Sequence, residues 1–250
     1  MRKLLIVLGG LFLLVCIWFG WMYILGRGIL KDEHKTAEWY LKAANRGVAS
    51  AQYNVGVMYA DGRGVPQDER TAVEWYQKAA DQGFAAAQYN LGVMYAKGRG
   101  VAKDNRTAAE WWQKAADQGF AAAQYNLGVM YADGRGVTRD DSAAAEWYQK
   151  AADQGFAAAQ YNLGVMYAAG RSVPQDERTA AEWYQKAADQ GYAAAQNNLG
   201  VMYENGRGVP KDDRKAAEWY QKAADQGDAS AQNNLRVMSA KGRGGVKDAR

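Results

Sequence analysis

FAAAQYNLGVMYAKGRGVAKDNRTAAEWWQKAADQG, residues 84–119, decides the fold, because nearly the same words recur along the chain at a fixed spacing. The Gln of each Ala-Gln step stands at Gln52, Gln88, Gln124, Gln160, Gln196 and Gln232. The Glu before each Trp stands at Glu38, Glu74, Glu110, Glu146, Glu182 and Glu218. Both series advance by 36 residues (52 to 88, 38 to 74), a period of stacked supersecondary units rather than of one globular core. Residues 84–96, 120–132 and 156–168 are identical.

Within one unit, Ala87, Leu91, Met94 and Tyr95 fall at i, i+4, i+7 and i+8, an apolar stripe on a helix over 85–97. Gly92 weakens that helix, so the spacing predicts that a second helix approaches closely there. Gly98-Arg99-Gly100 ends the helix, since Gly takes positive φ without steric penalty. Asp104 is an N-cap for a second helix, with Ala108, Trp111, Trp112 and Ala115 as its stripe. Gly119 closes that helix, and Phe120 follows where an apolar residue packs back on it. The unit is therefore an antiparallel helix pair that needs neighbours to bury both stripes. Large Leu91, Tyr95 and Trp111 alternate with small Ala87, Gly92, Ala108 and Ala115, as interdigitated layers require.

The pattern Ala-x-Tyr-Asn-Leu-Gly-Val-Met-Tyr-x-x-Gly-Arg-Gly-Val, an Asp, then Ala-x-Glu-Trp-Tyr-x-Lys-Ala-Ala-x-x-Gly resembles the Sel1-like repeat, a relative of the tetratricopeptide repeat. The resemblance runs over about residues 26 to 248. It implies an all-α fold, a right-handed α-solenoid, and a protein-binding scaffold with no reaction and no cofactor. By the same resemblance the first helices line a concave groove. Its floor would carry Tyr53, Tyr89, Tyr125, Tyr161, Asn197 and Asn233, flanked by Asn54, Asn90, Asn126, Asn162, Asn198 and Asn234. Asn offers donors and an acceptor to an extended peptide backbone, and Tyr adds apolar area with a polar tip. The variable rim position reads Asp61, Lys97, Asp133, Ala169, Asn205 and Lys241, the candidate for selectivity.

The net charge of +4 is interleaved along every unit, which marks solvated helix faces and excludes a nucleic-acid surface as the main reading. His34 is the only histidine, so no His-based dyad, triad or multi-His metal site can form within one chain. It is expected to be exposed in the first turn of its helix. Cys16 is the only cysteine, so stability rests on packing rather than on an intrachain disulfide. Pro66, Pro174 and Pro210 all stand just before an Asp N-cap, where they shape a turn.

Met1-Arg2-Lys3 precedes Leu4 to Gly26, 23 residues without a charge. As a helix this run reaches ~34 Å, against a hydrocarbon core of ~30 Å. It reads as a membrane anchor through residues 4–26, with a cleaved signal sequence and lipid attachment at Cys16 as the alternatives. Arg2 and Lys3 favour a cytoplasmic N-terminus and a solenoid on the periplasmic side. Yet Gly20-Trp21-Met22-Tyr23 and Gly26-Arg27-Gly28 stand 36 residues before Gly56-Val57-Met58-Tyr59 and Gly62-Arg63-Gly64. The repeat grammar thus continues into the apolar run. The divisions are 1–26, the hydrophobic helix; 27–48, a partial leading repeat; 49–228, five full repeats; and 229–250, a divergent one. In the last, Arg236 and Ser239 suit a polar cap. The function expected is a scaffold for other proteins or peptides at a membrane. The alternative is an accessory that binds a cell-wall glycan or peptide.

Overall fold

The computed structural model describes residues 33–245, and the candidate anchor over 4–26 lies outside them. The described residues hold twelve helices and no strand. In chain order these are α1 (Glu33–Asn45), α2 (Ala49–Asp61), α3 (Glu69–Asp81), α4 (Ala85–Lys97), α5 (Asn105–Asp117) and α6 (Ala121–Asp133). There follow α7 (Asp141–Asp153), α8 (Ala157–Ala169), α9 (Glu177–Asp189), α10 (Ala193–Asn205), α11 (Asp213–Asp225) and α12 (Ala229–Ala240). They form two compact units, one through Gln82 and one from Gly83 onward. Each is a stack of helix-turn-helix repeats in which successive helices pack on one another.

Local chemistry sets every boundary. Asp104 has extended backbone and accepts from the N–H groups of Arg106 and Thr107, at 2.9 and 3.2 Å, so α5 starts one residue later. At its end Gly119 has φ +85°; the Gly119 N–H donates to Ala116 O and the Phe120 N–H to Ala115 O. That double bond pattern is the left-handed glycine cap expected of the Gly-Phe pair. Gly98, at φ +68°, closes α4 in the same left-handed conformation. His34 is exposed in the first turn of α1, as expected.

The core of the second unit is a row of similar clusters. In one of them Ala108, Ala109, Trp112, Ala115 and Ala116 of α5 meet Ala123, Leu127 and Met130 of α6, with Tyr89, Val93 and Tyr95 of α4 against them. Leu127 is 1% exposed, and burying a side chain of this size contributes ~2 kcal/mol. Gly92 makes the predicted close approach. A Cβ there would collide with the Trp112 ring, and at Gly128 it would lie 2.6 Å from Tyr148 Cδ1. The glycine admits an aromatic ring rather than a bare helix.

The Trp that opens each aromatic pair, Trp111 in this repeat, behaves differently from expectation. Trp111 is only half-buried, whereas Trp112 is 7% exposed. The Lys114 Nζ lies 3.9 Å from the Trp111 ring centre, and the same stacking holds at Trp75, Trp147, Trp183 and Trp219. The outer Trp thus joins an exposed cation–π pair while packing its inner edge on a neighbouring repeat, as Trp147 does on the Leu127 cluster.

Candidate binding face

The Tyr and Asn residues of the first helices come together across repeats. Tyr125 of α6 has its ring centre 5.9 Å from Tyr148 of α7 and 5.1 Å from Phe156. Tyr161 of α8 stands 5.8 Å from Tyr184 and 5.2 Å from Tyr192, and Tyr89 stands 5.1 Å from Phe120. In the first unit Tyr53 lies 5.9 Å from Tyr76. These tilted contacts hold the floor tyrosines half-buried.

The asparagines are engaged inside the protein. Asn162 lies by the hydroxyls of Tyr125 and Tyr148, and Asn198 by those of Tyr161 and Tyr184, where each side chain favours the ionised phenol. Burial pushes all four phenols up, Tyr184 to about 12, while the Asn contacts act in the opposite direction. At the next step Asn197 replaces Tyr, and the Asn234 side-chain N–H donates to Asn197 Oδ1 at 3.0 Å. The Tyr220 hydroxyl there donates to Glu204 at 2.9 Å; burial first, and then this bond, raise its pKa. At Trp112 the ring has no hydroxyl, and its N–H donates to Tyr89 O at 3.1 Å. Asn54, Asn90 and Asn126 are half-buried like their counterparts, while Asn233 is exposed.

All the rim residues are exposed at the ends of their helices or just beyond. Asp61 and Asp133 are held by Arg63 and Arg135 at 3.0 and 2.8 Å, and Asn205 donates to Val201 O at 2.8 Å. Lys97 and Lys241 are exposed. Arg236 is exposed and donates to Asn233 at 2.9 Å.

Two features escaped the sequence reading. The buried Gln124 joins repeats: it donates to Ala116 O at 3.1 Å and accepts from Gln154 at 2.7 Å, and Gln160 and Gln196 do the same. Its 36-residue recurrence was the available signal. The second is a furrow of about 530 Å³ between α5 and α6, floored by Ala109, Leu127 and Val137 and edged by Arg106, Glu110 and Lys114. A furrow of about 440 Å³ recurs at Arg178, Glu182 and Lys186. Of the repeated Glu residues, Glu110 and Glu182 pair within their own helices, with Arg106 at 3.5 Å and Arg178 at 3.6 Å. Inter-repeat ion pairs run instead from Arg207 to Glu177 and from Arg243 to Asp213, at 2.7 and 2.6 Å. Among the described residues no His, Cys, Asp and Glu cluster could hold a metal ion. No described helix is long and apolar enough to cross a membrane.

The Sel1 repeat family model matches residues 16–48, 49–84, 85–120, 121–156, 157–192 and 193–228. Among solved structures, a protective antigen of uropathogenic Escherichia coli strains, displaying an SLR fold, is 40% identical with a TM-score of 0.82. The match covers 85% of this chain and 45% of that one, so the chain spans less than half of that relative. A Sel1 repeat protein from Oxalobacter formigenes is 38% identical with a TM-score of 0.80, over 88% of this chain and 90% of that one. Among curated proteins no relative matches. Sel1 repeat proteins act as protein-interaction scaffolds, typically non-catalytic. With six repeat matches in succession, the chain belongs to the Sel1 repeat family.

Proposed function

We propose that this protein is a non-catalytic scaffold that takes an extended segment of another protein along the Tyr and Asn face of its first helices. The observation that carries the reading is the recurrence of one half-buried Tyr and Asn pair in matching aromatic surroundings, Tyr125 with Asn162 against Tyr148 and Phe156, and Tyr161 with Asn198 against Tyr184 and Tyr192. A ligand whose own repeat matches the rise per helix pair meets the same chemistry at each step. Aromatic walls supply apolar area, and the Asn side chains read backbone amides. The exposed rim, alternating Asp61, Lys97 and Asp133, supplies charge selectivity. The apolar run Leu4–Gly26 delivers the scaffold to the non-cytoplasmic side of a membrane.

The test is recovery of crosslinked partners from membranes by the full chain, beside recovery by purified cell wall. Enrichment of defined proteins is the expected result, and retention on wall polymer alone would favour the glycan-binding alternative. Asn126→Ala with Asn162→Ala is expected to cut partner recovery severalfold while helicity by circular dichroism stays within a few percent. Unchanged recovery would remove the groove from the reading.

A further inference from the structure

Among the described residues, the first helix has no preceding helix packed against it, whereas every later counterpart has one. Tyr40 of α1 is 37% exposed, whereas Tyr76, Trp112, Tyr148, Tyr184 and Tyr220 at the same repeat position are between 0% and 7% exposed. Each of those five rings covers a glycine of the preceding helix, 20 residues earlier: Gly56, Gly92, Gly128, Gly164 and Gly200. Beside Tyr40 lies a depression of about 290 Å³ lined by Thr36, Asn54, Val57 and Met58. Asn54 stands where Asn162 stands, and Asn162 lies by the hydroxyl of the buried Tyr148. Trp39, next to Tyr40, is 77% exposed.

We infer that the occupant of this face is the same chain's residues 16–25, which seat Gly20 under Tyr40 and complete the leading repeat. Counting 20 back from Tyr40 gives Gly20, with Met22 and Tyr23 at the places of Met58 and Tyr59. Gly26-Arg27-Gly28 stands at the place of the Gly62-Arg63-Gly64 turn, and Gly64 already touches the backbone of Glu33. The connection is also of the right length. α2 ends at Asp61 and α3 starts at Glu69; the same offsets before α1 put the end of the docked segment at Leu25. The family model begins its first copy at residue 16, inside the apolar run.

The consequence concerns the membrane. With residues 16–25 docked, the free apolar run is Leu4–Val15, 12 residues or ~18 Å of helix, short of a ~30 Å core. That is the length of a signal-sequence apolar core rather than of a span.

The experiment uses the full chain in lipid nanodiscs, with Cys16→Ser so that no native thiol competes. Gly20→Cys with Tyr40→Cys is expected to form an intrachain disulfide as completely as the control pair Gly164→Cys with Tyr184→Cys. A link between chains would assign the face to a second copy; no link while the control links would overturn the docking. Independently, Gly20→Trp is expected to speed hydrogen exchange of the α1 amides at least tenfold, with those of α9 unchanged. Unaltered α1 exchange would overturn the inference, leaving residues 16–25 in lipid.

Discussion

At Asp68, Asp104 and Asp176 the Thr three residues on donates its hydroxyl to the capping carboxylate at 2.7 Å, on top of two backbone N–H bonds. The Thr hydroxyl is the largest influence holding these carboxyls below their ordinary value. A depressed carboxyl stabilises the fold above its unfolded pKa, and the contribution is lost as pH falls through the lower folded value. Thr71→Ala, Thr107→Ala and Thr179→Ala together are therefore expected to lower stability at pH 7, measured by chemical denaturation, with the difference from the parent shrinking as pH falls through the carboxyl range. Ser172 is the other singular residue. It is the one described non-glycine with positive φ, at +55°, where Gly136 and Gly208 occupy the matching turns. A left-handed residue with a Cβ costs ~1–2 kcal/mol, partly offset by the greater freedom of Gly in the unfolded chain. Ser172→Gly is expected to raise the thermal midpoint by a degree or more, and Gly208→Ser to lower it. At Gly208 a Cβ would also strike the Glu177 carbonyl.

At the scale of the helix pair, the contact that sets spacing is an aromatic ring on a glycine. Gly128→Val is expected to cost ~1–3 kcal/mol in chemical denaturation, because the new methyls meet the Tyr148 ring. Gly128→Val with Tyr148→Ala should recover part of the loss. This packing was half legible. The bounds of α4 follow from Phe84, Gly98 and the stripe through Leu91, and the structure reproduces them. Which of Trp111 and Trp112 turns inward did not follow, since neighbours 100° apart on a helix both fit a broad stripe. Only Lys114, three residues beyond Trp111, hinted that the first ring faces outward. For the proposed face, the Tyr and Asn positions were legible but their contacts were not. Tyr125 stacks on Phe156 and Tyr161 on Tyr192, and contacts between residues so far apart in the chain leave no local pattern.

At the scale of the whole molecule, successive helices within each unit pack on one another, as in a repeat stack whose stability grows by nearest-neighbour increments. Removal of residues 121–156, one complete period, is expected to leave a folded protein with helicity reduced in proportion and a lower denaturation midpoint. A chain that unfolds completely on losing one period would contradict that additivity. The identity of residues 84–96, 120–132 and 156–168 carries a further consequence. During synthesis, a newly emerged second helix finds three interchangeable seats, and choosing a seat one period off loops out 36 residues without changing any contact at the seat itself. What distinguishes the right seat is the few singular side chains: Trp112 against Tyr148, Asn105 against Asp141, Ser172 against Gly136. These small differences serve as the assembly's page numbers, and homogenising them would slow the search for the correct order before it altered the finished stack.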